Sequence, residues 1–430
     1  MAGFWTRPLA FLEGCRARYG RRFTLRLPLS PPFVILTDPD EIRQVFTAPA
    51  DVLHPGSGAR IIEPVVGRNS VILLDGDAHM EQRKLMLPAF HGQRIEKLAA
   101  LVEEVTDQEI GSWPVDRPVR LHERFQRLTL DIILRAVFGL EPGPRMEALR
   151  GRLAEMLQFG EKPISLLPPD PDGRVTKIAE RVGPFAEFAR VQREVDELIG
   201  ELIAERRSEG TGREDVLAML LLARREDGSG MRADELRDEL MTLLVAGHET
   251  TASTLAWCFD HLAREPRLVD RLRDDEDDAY LTATIQEALR HRPVLPNVAP
   301  RLVVKPIEVG GVAYPEGISL VPNAYLVHHD PDIYPDPYVF RPERFLEQSP
   351  GTYTWIPFGG GRRRCLGASF AMLEMKIVVR ALVQARDLQP VAPGLQPPRR
   401  RNITVRPADG CLMTLPPRGV TETQRLPVAA

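Results

Sequence analysis

A single cysteine stands in the run Phe358-Gly359-Gly360-Gly361-Arg362-Arg363-Arg364-Cys365-Leu366-Gly367, and the segment after it, Ala368 to Val383, has the apolar spacing of a helix. Glycines at Gly359, Gly360, Gly361 and Gly367 permit positive φ and close backbone approach, so that amide N–H groups can point at the sulfur. A thiol at a helix N-terminus beside Arg362, Arg363 and Arg364 is expected to favour the thiolate, the form that ligates metal. An ordinary buried cysteine has no need of such neighbours. Cys15, Cys258 and Cys411 lie far away with no paired spacing, which makes zinc and iron–sulfur clusters poor readings. One thiolate on a haem iron fits better, because a large planar cofactor with acidic substituents uses both the glycines and the arginines.

The second candidate is Ala246-Gly247-His248-Glu249-Thr250-Thr251, inside a pattern that predicts one helix from about Ala233 to Glu265, on the order of 50 Å long at 1.5 Å per residue. Gly247 costs about 1 kcal/mol against alanine in a helix interior, and adjacent threonines can bond back to preceding carbonyls and bend the rod. Taken alone, these residues read as a polar patch facing solvent. Beside an iron, the weakened turn would admit dioxygen and water, with Thr250 donating a hydrogen bond to bound oxygen and Glu249 linking to solvent as a proton source. His248 is expected to fill an ordinary helix position. The third candidate is Glu287 with Arg290, an i,i+3 pair worth about 0.2–0.5 kcal/mol when exposed. With Arg344 in Pro342-Glu343-Arg344-Phe345, it suggests a buried Glu–Arg–Arg network that pins the segment carrying the cysteine loop.

These residues need a large scaffold. The chain has 430 residues, 43% hydrophobic and 6% aromatic, enough for one large core or two intimate ones. A net charge of −4 recommends no nucleic acid or other polyanion, and the first twenty residues offer no apolar run that could span a bilayer. Dispersed cysteines and the lack of a secretory segment predict a soluble, cytoplasmic protein. Of its 56 basic residues six are lysine, a skew expected of a GC-rich bacterial coding sequence. Short strands are predicted at Arg22–Leu27, Phe33–Thr37, Ile307–Val309, Ile318–Val321, Ile403–Arg406 and Leu412–Leu415. A helix should start at Asp38-Pro39, an N-cap followed by proline. From about 75 to 290 the spacing is mainly helical, for example at Leu121, Phe125, Leu128, Leu130, Ile133 and Val137. Lys162–Gly173 and Ser208–Asp215 read as loops.

In order and spacing, Asp75-Gly76 with His79 and Arg83, the Ala246–Thr251 motif, Glu287 with Arg290, Pro342–Phe345 and the cysteine loop resemble the cytochromes P450, the cysteine-thiolate haem monooxygenases, over nearly the whole chain. The resemblance implies a mainly α fold with a small β-rich lobe, a triangular helical prism around a buried haem. One haem domain would span 1–417, its β-rich lobe drawn from about 20–40, 300–325 and 400–416, its helical lobe from about 75–290 and 365–385, with 418–430 as a tail. It implies haem b, held through Cys365 as the iron ligand with Phe358 beneath it. Ala246, Gly247, Gly359 and Gly367 would lie against the haem, and His79, Arg83, Arg301 and Arg363 would pair with its propionates. No CxxCH is present, so the haem would not be covalently attached.

The implied activity is insertion of one atom of O2 into a hydrophobic small molecule, by hydroxylation or epoxidation, with Glu249 and Thr250 favouring oxygen activation over an in-family peroxygenase or isomerase. A haem-binding sensor or carrier without turnover is the alternative. Electrons would come from a separate ferredoxin or flavodoxin with its NAD(P)H reductase, since the chain has no flavin- or dinucleotide-binding segment. That partner would dock near Arg362, Arg364 and Lys84 of a monomeric protein that binds no membrane. By family position, substrate contacts would come from the loop around Ile61–Val71, from Leu243, from Val294, Leu295 and Val298, and from Ile403, under a lid near Phe159–Gly173.

Overall fold

The computed structural model describes residues 2–27, 30–90, 93–159, 183–209, 213 and 215–419. The expected lid beyond Phe159, the loops at 162–173 and 210–212, and the tail beyond 419 therefore lie outside the described residues.

After a five-residue helix, Ala2–Thr6, come α1 (Pro8–Tyr19), β1 (Arg22–Leu25) and β2 (Phe33–Leu36), then α2 (Pro39–Thr47). Asp38 caps α2, its Oδ1 accepting from the N–H groups of Asp40 at 2.9 Å and Glu41 at 3.3 Å, as the Asp-Pro signal predicts. After β3 (Leu53–His54) come α3 (Gly76–Met86), α4 (Gln93–Gly111), α5 (Leu121–Ala136), α6 (Pro144–Gln158) and α7 (Gly183–Glu209). The long α8 (Ala233–Leu262) is followed by α9 (Pro266–Arg273), α10 (Ala279–His291), β4 (Arg301–Val303) and β5 (Ser319–Pro322). Then come α11 (Ala368–Ala385) and the hairpin β6 (Pro398–Arg401) and β7 (Thr404–Pro407), and the described chain closes with a short strand, Leu412–Thr414.

The main hydrophobic core lies among the helices. Leu121, Phe125, Leu128 and Ile132 recur at i, i+4, i+7 and i+11 on α5, so they form one stripe, and all are fully buried. That stripe meets α8, where Phe259 stacks on Phe125 with ring centroids 5.4 Å apart. Each such side chain contributes about 1.5–3 kcal/mol of burial, so this seam is a principal anchor of α8. The other lobe is a five-stranded sheet in the order β1-β2-β5-β4-β3. Only the β2–β5 pair is parallel, with Val34 opposite Leu320 and Ile35 opposite Val321. A separate hairpin, Ile307–Val309 with Val312–Tyr314, turns at Gly310-Gly311, both at positive φ. Sequence pattern does not reveal β3, β4 or β6, because two- and three-residue strands and a Pro-Arg-Arg-Arg run carry no alternation of apolar and polar residues.

Candidate functional site

The cysteine loop is fixed from behind. Glu287, fully buried on α10, accepts from Arg290 Nε at 2.7 Å and Nη2 at 2.8 Å, from Arg344 Nε at 3.1 Å and from Arg341 N at 2.8 Å. Arg290 Nη1 donates onward to the carbonyls of His328 and Pro337, and Arg344 to those of Pro335, Asp336 and Val339. Two buried cations therefore share one carboxylate and spend their other donors on backbone, the arrangement that offsets the cost of burying charge. His328 Nε2 accepts from Ile356 N at 2.9 Å, and Trp355 Nε1 donates to Gln286 O at 3.2 Å, which carries the rigidity into the approach to the cysteine.

Within the loop, Cys365 N donates to Phe358 O at 2.9 Å. Gly359 and Gly361 lie at φ +66° and +63°, where a side chain is strained. The expectation of positive φ does not extend to Gly360 and Gly367, which lie at −164° and −88°. Gly360 is needed for space instead, since a Cβ there would stand 2.3 Å from the Phe46 ring. A Cβ on Gly367 would meet nothing within 4 Å.

The expected thiolate is also corrected. Protein surrounding the thiol of Cys365 raises its pKa, and that effect outweighs the Gly367 N–H and the charges of Arg83 and Arg364. Arg363 points elsewhere, donating to the carbonyls of Val71, Ile72 and Leu74 and pairing with Asp75 at 2.9 Å. Even so, the residue keeps open surface. It is hemmed in by protein yet open on one side, as a ligand to an inserted group must be. A metal that displaces the thiol proton would supply the charge compensation that the protein alone does not.

Ala246 is the corresponding opening on α8, exposed while Leu244 and His248 are buried. Helical spacing puts Leu243, Ala246 and Thr250 on one stripe. Thr250 Oγ1 back-bonds to Ala246 O, and Thr254 Oγ1 to Thr250 O at 2.9 Å, without breaking the helix. Gly247 does not make the expected gap for oxygen. A Cβ there would meet Ile133 Cδ1 at 3.0 Å, so the glycine lets α5 approach α8. His248 fills a core position, its Nδ1 2.9 Å from Thr129 Oγ1, and burial lowers its pKa to about 4.

Glu249 turns away from that stripe. Its carboxylate accepts from Gln126 Nε2 at 2.8 Å and Ser253 Oγ at 3.1 Å, lies 3.4 Å from His122 Nε2, and forms an ion pair with Arg401. Burial pushes its pKa up, but the hydrogen bond from His122 and the charges of Arg401, His122 and His248 outweigh it and hold the group at about 2. In this arrangement Glu249 is an anion bonded to Arg401, where the sequence reading expected an acid linked to solvent. Arg401 was not singled out from the sequence; the available signal is Asn402 after it, which takes the positive φ (+52°) of the β6–β7 turn.

Cationic side chains gather beside the cysteine loop. His79 and Arg83 stand one turn apart on α3, and Arg301 projects from β4. Burial, with Arg363 and Arg83 nearby, lowers the pKa of His79 to about 3. Burial and Arg363 bring Arg301 down to about 9. Arg301 is 3% exposed, and among the described residues it has no carboxylate partner, donating only to Ala299 O. Among the described residues the one carboxylate that acts on these groups is Asp75, which is bonded to Arg363, Gly56 N at 2.7 Å and Ser57 N at 2.9 Å. A buried guanidinium without an anion needs one. The donor set thus fits a dicarboxylate group such as haem, with sulfur for its iron.

The candidate substrate contacts are dispersed. Val298 is buried 3.5 Å from where a Gly359 Cβ would stand, and Leu243 and Leu295 are half-buried. Val294 is packed into a small cluster with Trp257 and Val405. Ile403 is exposed in the β6–β7 turn.

A family model described as "Cytochrome P450" matches residues 2–410. A Mycobacterium bovis protein described as "Putative cytochrome P450 135B1" is 35% identical, over 94% of this chain and 86% of its own. Another from the same species, "Putative cytochrome P450 138", is 34% identical over 91% of this chain and 88% of its own. The solved structure "Retinoic acid bound cyanobacterial CYP120A1" superposes with a TM-score of 0.80 and 24% identity, covering 94% of this chain and 93% of that one, a likeness of fold.

Proposed function

The chain belongs to the cytochrome P450 family of haem-thiolate monooxygenases, and on that premise we propose that Cys365 is its iron ligand and that a hydrophobic small molecule binds between the cysteine loop and the Leu243–Ala246–Thr250 stripe. The observation that carries this reading is the pairing of a thiol open on one side with a buried cation, Arg301, that has no carboxylate of its own among the described residues. Residues 1–417 act as one haem domain, binding non-covalent haem b. The haem, when bound, supplies reductive activation of O2 and transfer of one oxygen atom to the substrate.

The protein's own residues hold, neutralise and exclude. Cys365 is fixed by the Phe358 carbonyl and by the loop that the Glu287 network pins. His79, Arg83 and Arg301 take the propionates, with Arg363 bracing the Leu74–Asp75 backbone around them. Thr250 offers a hydroxyl whose proton now rests on Ala246 O and can be redirected by a rotation of χ1. Glu249 contributes an ionised carboxylate that accepts a proton once its pairing with Arg401 loosens. Apolar Leu243, Leu295 and Val298 favour a lipophilic guest. Electrons come from a ferredoxin or flavodoxin with its reductase, docking near Arg362 and Arg364, which are exposed; Lys84 is held by Glu226 at 3.2 Å.

The test is to supply purified holoprotein with an electron donor and a panel of lipophilic compounds under air, and to look for an oxygenated product carrying label from 18O2. Incorporation of one labelled atom is expected. A protein that forms the thiolate-type reduced carbonyl complex but oxygenates nothing in the panel is a sensor or carrier instead.

A further inference from the structure

We propose that Asp238 and Glu239 are positioning residues for the substrate, two adjacent carboxylates on α8 that latch the Gly67–Val71 loop in place at the edge of the site. This rests on the proposed function, in which a molecule binds between the cysteine loop and the Leu243–Ala246–Thr250 stripe, the two supports that this loop spans.

The bonds are specific and mutually independent. Asp238 Oδ2 accepts from Asn69 N at 2.9 Å and Asn69 Nδ2 at 2.8 Å. Glu239 Oε1 accepts from Val71 N at 2.7 Å and from Gln82 Nε2 of α3 at 3.0 Å. Between them, Thr242 Oγ1 donates to Ser70 Oγ at 2.7 Å. Gly67 belongs to the same device. It sits at φ +83°, and a Cβ there would lie 2.0 Å from Asp238 Oδ1, so only glycine lets the loop close on the carboxylate. Arg237 pairs with Asp238 at 2.9 Å, which offsets the cost of placing one acid beside another.

The strap is also held from its other side. Arg363 of the cysteine loop donates to the carbonyls of Val71, Ile72 and Leu74, so the N–H groups of Asn69 and Val71 answer to α8 while these three carbonyls answer to the iron-ligand loop. Helical spacing places Glu239 on the stripe of Leu243, Ala246 and Thr250, two turns before Ala246. A loop fixed on these two supports presents one shape to a ligand. Released from α8, it presents many, and ordering it again subtracts from affinity.

Trypsin reads the latch directly, because Arg68 is exposed and its scissile bond leads into Asn69, the residue Asp238 holds. Arg60, exposed and outside the latch, serves as internal control. In haem-loaded full-length protein, Asp238→Ala and Glu239→Ala should speed cleavage at Arg68 relative to Arg60 by about tenfold, the factor implied by one lost buried hydrogen bond. Asp238→Asn and Glu239→Gln keep an accepting oxygen and should restore resistance. Iron binding should separate by size: bulky econazole weakens about tenfold in the alanine variants, whereas imidazole, too small to touch the loop, binds as in the parent. Unchanged relative cleavage overturns the latch, and faster cleavage with both azoles unaffected overturns its role in positioning. The reduced carbonyl spectrum of the same samples reports separately on whether the haem-thiolate reading stands.

Discussion

Replacing Glu287 by glutamine removes the one carboxylate that, among the described residues, bonds two buried guanidinium groups, Arg290 fully buried and Arg344 at 6% exposure. The wild-type carboxylate accepts four hydrogen bonds, three from those arginines and one from Arg341 N. Glutamine keeps the volume but offers one accepting oxygen, and its amide group must face a guanidinium. Leaving a buried charge without its partner costs about 3–5 kcal/mol. Set against the roughly 5–15 kcal/mol that separates native from unfolded states, this lowers the folding equilibrium constant by about two to three and a half powers of ten. The assay is urea unfolding followed by circular dichroism, with Glu347→Gln as control. Glu347 pairs with Arg341 at 2.7 Å with both side chains exposed, and such a pair is worth about 0–1 kcal/mol. If Glu287→Gln shifts the unfolding free energy no more than Glu347→Gln does, the network is not what holds the approach to the cysteine loop.

Arg401→Gln should raise the pKa of Glu249 from about 2, because burial then goes unopposed by the nearest cation. A depressed carboxyl contributes stability above its unfolded value of 4.5 that is lost as pH falls through 2, so the variant's acid-unfolding curve should move to higher pH; superimposed curves would contradict the pairing. Arg301→Gln should leave the haem-free protein folded but speed haem loss to an apoglobin acceptor about tenfold or more, the worth of one charge-assisted hydrogen bond, and an unaltered rate would remove Arg301 from the propionate site. Glu239 is pushed up to about 8, by burial first and then by Asp238 and Glu235, against hydrogen bonds from Gln82 and Val71 N; Arg225 reaches it only through Glu235 and Gln82, and Arg363 only through the Val71 carbonyl. In the opened loop Glu239 ionises near its ordinary 4.5, whereas the closed latch holds its proton up to about 8, so tryptic cleavage at Arg68 relative to Arg60 should rise between pH 4.5 and 8 in the parent, level off above 8, and stay level throughout in Glu239→Gln.

The sequence is most informative where chemistry is local. The cysteine loop, the Asp38 cap and the α5 stripe can be read from neighbours within a few residues, and the structure builds them where spacing puts them. Burial is a property of the whole chain and is not so readable. An i,i+3 pair such as Glu287–Arg290 has the same spelling on a surface as in a core, and only the positions of Tyr334, His328 and the 335–341 segment around it make it a buried clamp. Cys365 shows the same limit, since nearby arginines are visible in the sequence but the enclosure that raises its pKa is not. Glu249 could not be assigned a partner because Arg401 lies 152 residues away on a strand without a strand-like sequence. Gly247 shows the same limit, since periodicity tells which residues share a side of a helix but not which neighbour comes close to it, here Ile133 of α5.

The account depends on sulfur from residue 365 bonding the iron, and the most direct measurement is iron K-edge X-ray absorption on the ferric holoprotein and on Cys365→His. The parent should show one sulfur scatterer in the first shell, and the variant, still folded and haem-loaded, should show only light-atom neighbours. A parent shell without sulfur, or a sulfur contribution that survives the substitution, would contradict it.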